Sequence, residues 1–225
     1  MYQLITVNGG HSEVSRGASG NGYQEHLIAR KIKDKLISSF RSVGQKTVDT
    51  TSDATSQSGV LHEQVFKCNL YQGGTQLDVS IHLNAGGGTG VEVLYYSEKQ
   101  LASVISNAIA TSLGIRDRGA KQRKDLFFLN HTKHPAILIE VCFIDNVEDM
   151  KQLMSNIDSM IASIVKVLTG KTISGIQDYT VRSGETLYKI GQRIGSNVKE
   201  IMSLNPQIKN SNLIREGQVI KIPRK

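Results

Sequence analysis

Four side chains in this sequence combine reactive chemistry with telling positions. Glu140 lies inside the apolar run Ala136–Ile144, and His82 lies inside the alternating segment Val79–Ala85. Segments of this pattern are buried, and a buried carboxylate either shifts its pKa or pairs with a cation. Taken alone, Glu140 also suits a strand-end glutamate with an Arg or Lys partner, and His82 a hydrogen-bonded core histidine. His11 follows Gly9 and Gly10 directly after a strand-like start, and opens a loop containing Gly17, Gly20 and Gly22. Loops at strand ends are where α/β folds place their sites. Glu25 then opens a helical segment, where by itself it could simply complement the helix dipole.

Together the four read differently. His11, Glu25 and His82 offer two imidazoles and one carboxylate, a set that suits catalytic zinc with its three protein ligands and one open position. Zinc lowers the pKa of a bound water and polarises a carbonyl. A second, unligated carboxylate is then needed to take a proton and pass it to the leaving amine, and Glu140 fits that part. In principle Glu25 and Glu140 could exchange roles.

These residues need a frame. Tyr2–Val7, Lys46–Asp49, Leu77–Leu83, Val91–Tyr96 and Ala136–Ile144 read as strands from alternation or apolar runs. Glu25–Val43 reads as a helix, with Ile28, Ile32, Leu36 and Phe40 on one stripe, and Val60–Tyr71, Leu101–Leu113 and Val147–Leu168 also read as helices. The alternation predicts an α/β sheet with helices on both faces and the metal site at the strand ends. Residues 1–170 form this first domain, 171–177 a small polar linker, and 178–225 a second domain. In the second, strand-like Tyr179–Arg182 and Val219–Ile222 flank two short helices, Thr186–Ile194 and Asn197–Leu204, each opened by an N-cap residue.

Residues 4–140 resemble the type 3 N-acetylmuramoyl-L-alanine amidases. The motifs are Gly10-His11, then Gly17-Ala18-Ser19-Gly20-Asn21-Gly22 leading to Glu25, then Ser80-Ile81-His82-Leu83-Asn84-Ala85, then Pro135-Ala136-Ile137-Leu138-Ile139-Glu140 followed by Phe143. The resemblance implies one Zn2+ held by His11, Glu25 and His82, with Glu140 as catalytic acid/base. It favours Glu25 over Glu140 as the ligand, and the Gly-rich loop can bring Glu25 beside His11. It makes Asn84 and Arg118 candidates for substrate contact, Arg118 otherwise being a solvated loop residue. Cys142 stands where the family has Gly, and Asn8-Gly9 stands in place of its usual residues before Gly-His. Neither departure removes a ligand. His26 and His62 are expected on helix surfaces, and His131 and His134 match no family ligand.

Residues 178–223 resemble a LysM module, from Tyr179-Thr180-Val181-Arg182-Ser183-Gly184 through Asn205-Pro206 to Val219-Ile220-Lys221-Ile222-Pro223. This implies a βααβ fold that binds N-acetylglucosamine-containing glycan, with Ser183, Gly184, Thr186, Asn205 and Pro206 as candidate contacts. The joint expectation is hydrolysis of the amide between N-acetylmuramic acid and L-alanine in peptidoglycan. The rivals are a zinc peptidase cutting within the stem peptide and a non-catalytic wall-binding protein.

Composition narrows the partners. The net charge is +7, and residues 173–225 contribute 9 Lys+Arg against 4 Asp+Glu, a net of +5. Such a module suits anionic wall polymers; no aromatic-laced basic face points to nucleic acid. No apolar run approaches the ~18 residues of a membrane span. The first residues lack a basic, apolar leader. The expectation is synthesis in the cytoplasm and action on the wall after release, as for a phage or prophage endolysin let out through a membrane pore or a bacterial lysin acting after cell lysis. Cys68 and Cys142 are expected as reduced, buried thiols.

Overall fold

The alternating segments of the first 170 residues assemble into a single sheet with helices on each side. The computed structural model describes residues 2–71, 74–173 and 176–223. In chain order come β1 (Leu4–Gly9), β2 (Ser19–Gly20), β3 (Tyr23–Gln24), α1 (Glu25–Ser42), β4 (Thr47–Asp49), α2 (Gln57–Asn69), β5 (Gln76–Asn84) and β6 (Val91–Tyr95). Then follow α3 (Lys99–Leu113), β7 (Asp117–Gln122), α4 (Phe127–His131), β8 (Ala136–Phe143) and α5 (Val147–Thr169).

The main sheet has the order β4-β1-β5-β8-β6-β7. Neighbours run parallel except β6 and β8, which are antiparallel. Period-2 alternation sorts the side chains of the central strands. On β5 and β8, Leu77, Val79, Ile81, Ile137, Ile139 and Val141 face the larger core, built with α1, α3 and α5. The α1 stripe Ile28, Ile32, Leu36 and Phe40 enters that core at 8% exposure or less, each burial stabilising by about 2 kcal/mol. Ala136 and Leu138 face the other way, into a smaller core with Val65 and Cys68 of α2 and Phe128 and Leu129 of α4. Glu140 is the next residue in that second series, and His82 is its register partner on β5. Both therefore emerge on the α2/α4 face, toward the carboxyl ends of their strands.

Four short elements go beyond the sequence pattern: β7, which takes in Arg118 where a loop is expected; α4, five residues long; and β2 and β3, which form a ribbon of two residues a side inside the Gly-rich loop. His26, expected at the surface, is 3% exposed, whereas His62 is exposed as expected. Cys68 and Cys142 are free and buried.

Beyond Gly170, β9 (Ile176–Thr180), α6 (Leu187–Ile194), α7 (Val198–Ser203) and β10 (Val219–Pro223) form a second unit. β9 and β10 pair antiparallel around a core of Val181, Leu187, Ile190, Ile201, Ile208, Ile220 and Ile222. Thr186 caps α6 through Lys189 N–H, and Asn197 caps α7 through Glu200 N–H. β9 starts at Ile176, earlier than the pattern indicated, because Gln177 and Ile176 extend the ladder to Ile222 and Pro223. Within the expected linker, residues 174 and 175 lie outside the described residues.

Candidate active site

The turn after β1 brings His11 over the end of β5. The Gly10 N–H donates to Ile81 O at 2.8 Å. A Cβ at Gly10 would run into the His82 ring, so only glycine lets the two histidines approach. His11 itself has φ +65°, a left-handed conformation rare outside glycine. Gly17 is also left-handed, at φ +70°, and a Cβ there would meet both the Glu25 carboxylate and the His11 ring.

Glu25 is the hub. It is 3% exposed. His82 Nδ1 lies 3.0 Å and His11 Nε2 3.2 Å from its Oε1. The Leu83 N–H donates to the same oxygen at 3.1 Å, and the Ala18 N–H donates to Oε2 at 2.8 Å. Burial opposes its charge, but hydrogen bonds from both imidazoles outweigh burial and hold the carboxyl far below the usual range. Burial likewise works against the His82 cation, yet the Glu25 hydrogen bond and the nearby Glu140 and Glu25 charges raise its pKa overall. One donor atom from each of His11, Glu25 and His82 lies within 4.8 Å of the other two. A tetrahedral zinc with bonds of about 2.0–2.1 Å spaces its ligand atoms about 3.3 Å apart, so this donor set, two half-buried imidazoles around a buried carboxylate, fits the metal with small adjustments.

Glu140 completes the site from across the sheet. It shares a cleft of about 230 Å³ with His11 and His82, walled by Leu94, Phe128 and Leu138. Its Oε2 is buried and has no hydrogen-bond partner among the described residues; the Arg or Lys partner that a structural glutamate would need is not seen there. Burial pushes its carboxyl up to about 7, opposed by His82 and reinforced by Glu25 and Glu92.

Glu92, which the sequence reading passed over, pairs in register with Glu140 across β6 and β8. Asn84 Nδ2 donates to it at 3.1 Å and Arg118 Nε at 2.7 Å, while the Arg118 guanidinium lies over the Phe143 ring. Asn84 and Arg118 thus border the site through Glu92. In the second unit, Ser183, Gly184, Thr186 and Pro206 are exposed. Asn205 is fully buried: its amide donates to Ile201 O and Lys221 O and accepts from Lys221 N–H, which pins its loop to β10. No helix among the described residues is long and apolar enough to cross a membrane.

An α/β sheet with three convergent ligand atoms at its strand ends, and an unpaired buried carboxylate beside them, defines a protein with a candidate hydrolytic metal centre. The chain belongs to the N-acetylmuramoyl-L-alanine amidase family, whose model matches residues 5–170, and a LysM domain matches residues 179–223. It is 34% identical to the endolysin of Bacillus phage SPP1 over 161 residues, 66% of this chain and 58% of that protein. It is 31% identical to the N-acetylmuramoyl-L-alanine amidase LytC of Bacillus subtilis (strain 168) over 160 residues, 67% of this chain and 31% of LytC. The chain therefore spans under two thirds of either relative. The solved catalytic domain of the CD27L endolysin targeting Clostridia difficile superimposes with a TM-score of 0.67 at 29% identity, covering 76% of this chain and 99% of that domain.

Proposed function

We propose that the chain is a zinc-dependent amidase that hydrolyses the bond between N-acetylmuramic acid and the L-alanine of the stem peptide in bacterial peptidoglycan. The observation that carries this is the meeting of His11, Glu25 and His82 around one point, with the carboxyl of Glu140, unpaired at Oε2, on a residue that lines the cleft they share. Held by those three ligands, zinc would supply a water of lowered pKa and polarise the scissile carbonyl. The Leu83 and Ala18 N–H groups keep the Glu25 carboxylate anionic and fix its aim, while His11 Nε2 and His82 Nδ1, which face it at 3.2 and 3.0 Å, would turn their lone pairs to the metal. Glu140 takes a proton from the attacking water on its carboxylate and gives it to the leaving nitrogen. A carboxyl near neutrality serves both transfers. The apolar wall of Leu94, Phe128 and Leu138 keeps bulk water from that proton.

In this reading residues 1–170 are catalytic, 171–177 a linker, and 178–225 the LysM domain. The latter holds N-acetylglucosamine-containing glycan through exposed Ser183, Gly184, Thr186 and Pro206, with Asn205 shaping the groove from inside. Its positive balance adds attraction to anionic wall polymers, weakened by salt. The kinship with a phage endolysin supports a lytic enzyme made in the cytoplasm that reaches the wall after release. Mass spectrometry of digested peptidoglycan tests the bond. Free stem peptides beginning with L-alanine, beside glycan with unsubstituted lactyl groups, are expected. Fragments cut within the stem would make the chain a peptidase, and undigested wall would make it a binding protein.

A further inference from the structure

The catalytic cleft holds a cation that the mechanism does not use. Arg123 follows β7 directly, and its N–H donates to Tyr95 O at 2.9 Å, which fixes its backbone to the end of β6. Its side chain lines the same cleft as His82 and Glu140. Asp125 grips one edge of the guanidinium, with Nε to Oδ1 at 2.8 Å and Nη2 to Oδ2 at 2.7 Å. A guanidinium carries five N–H donors arranged as two forks. Asp125 occupies the Nε/Nη2 fork, and Nη1 has no partner among the described residues. The side chain is 44% exposed, so the second fork is accessible. Arg118, by contrast, gives its Nε to Glu92 and lies over Phe143.

The charge balance of the cleft gives this free fork a purpose. Glu25, Glu92 and Glu140 place three carboxyl groups around the reaction centre. Glu92 already has Arg118 and Glu25 would face the zinc, so among the described residues lining the cleft the free fork of Arg123 is left to receive a carboxylate of the stem peptide. An extended residue advances about 3.5 Å, so the first free carboxylate past the scissile amide, on the second stem residue, falls within the reach of a cleft this size.

We propose that the Nη1/Nη2 fork of Arg123 receives the α-carboxylate of the second stem residue, a D-glutamate, and makes the enzyme selective for stems in which that group is free rather than amidated. Asp125 holds the plane of the guanidinium so that the fork is ready before substrate arrives. This inference rests on the amidase reading of the site.

The test uses the full chain and two soluble muropeptides that differ only at that group: D-glutamate in one, its α-amide D-isoglutamine in the other. The wild type should favour the acid by about tenfold in kcat/KM, carried by KM, because a charge-assisted fork is lost with the amide. Arg123→Gln should bring the ratio to about one by losing rate on the acid alone. Arg123→Lys, which keeps the charge without the fork, should retain part of the preference and covers a Gln variant that fails to fold. Both substrates meet the same preparation, so the ratio does not depend on the fraction folded. A wild type with no preference, or a preference that survives Arg123→Gln, overturns the assignment. A wild type that releases no L-alanine-ended stem from either substrate overturns the amidase reading, and the inference with it.

Discussion

Glu140 shows most clearly how placement alters the chemistry of a side chain. It continues the series Ala136, Leu138 on one face of β8, so the packing that buries those residues also removes it from water. Burial pushes its carboxyl up to about 7, so the folded chain binds a proton that the unfolded chain has already released. Stability tied to that proton is therefore present below the unfolded value and is lost as pH rises through the folded one. In metal-free protein, wild type and Glu140→Gln should melt alike near pH 4, and the variant should melt higher by about 5 °C at pH 8. Thermal unfolding in chelator across this range checks it, and parallel curves at every pH would contradict it. The meeting of His11, Glu25, His82 and Glu140 was legible in the sequence because His82 and Glu140 sat in segments patterned for burial, and because four motifs occurred in the order of a known family; His11 and Glu25 depended on the second signal. Glu92 and Arg123 were not legible. Both are charged residues in segments whose local pattern already tolerates charge; the register of β6 with β8 sets Glu92 beside Glu140, and the course of the chain after β7 brings Arg123 to the cleft.

At the scale of elements, the long periodic segments were readable. Helices α1, α3 and α5 and the buried strands begin and end within a few residues of where the pattern put them. The missed elements lack such a signal. β7 reads Asp-Arg-Gly-Ala-Lys-Gln with no buried residue, as befits an edge strand. α4 is too short for a helical period to show. The β2/β3 ribbon comes from the geometry of the loop that carries Gly17 to Glu25. That loop makes a sharp prediction. Gly17 and Gly22 are both left-handed, at φ +70° and +80°, so alanine strains either backbone alike. At Gly17 the new methyl meets the Glu25 carboxylate and the His11 ring; at Gly22 it meets nothing within 4 Å. Gly17→Ala should weaken zinc affinity by about 10- to 100-fold, the scale of disturbed ligand support, while Gly22→Ala should hold zinc as the wild type does. Competition with a chromophoric chelator measures both, and equal losses would mean that the loop acts only through its backbone.

For the whole molecule, the proposed function assigns cleavage to the first unit and wall binding to the second. The candidate metal site lies wholly before residue 170, and the second unit has its own core. A chain ending at residue 170 should still cleave soluble muropeptides, yet bind intact walls more weakly and lyse them slowly at dilute enzyme, since a tether acts through local concentration. Residues 173–225 carry a net of +5, so the wall binding that remains specific to the full chain should fall as salt rises. Pelleting with purified walls, beside turnover of soluble substrate, separates the two functions. Equal wall binding by both chains would contradict the tether. The separate core of the second unit was legible because composition, motif and charge all change near residue 170. The buried role of Asn205 was not, because Asn-Pro after a helix looks the same whether the amide faces a ligand or its own β10.

The central claim is that His11, Glu25 and His82 hold zinc while Glu140 moves the proton. The most direct measurement is metal content beside turnover for Glu140→Gln and Glu25→Ala. Glu140→Gln keeps the shape of the side chain but cannot shuttle a proton, so it should retain about one zinc per chain and lose roughly 100-fold or more in rate. Glu25→Ala leaves two imidazoles to hold the ion and should come out largely metal-free. A metal-free Glu140→Gln beside a zinc-loaded Glu25→Ala would contradict the account by exchanging the two carboxylates.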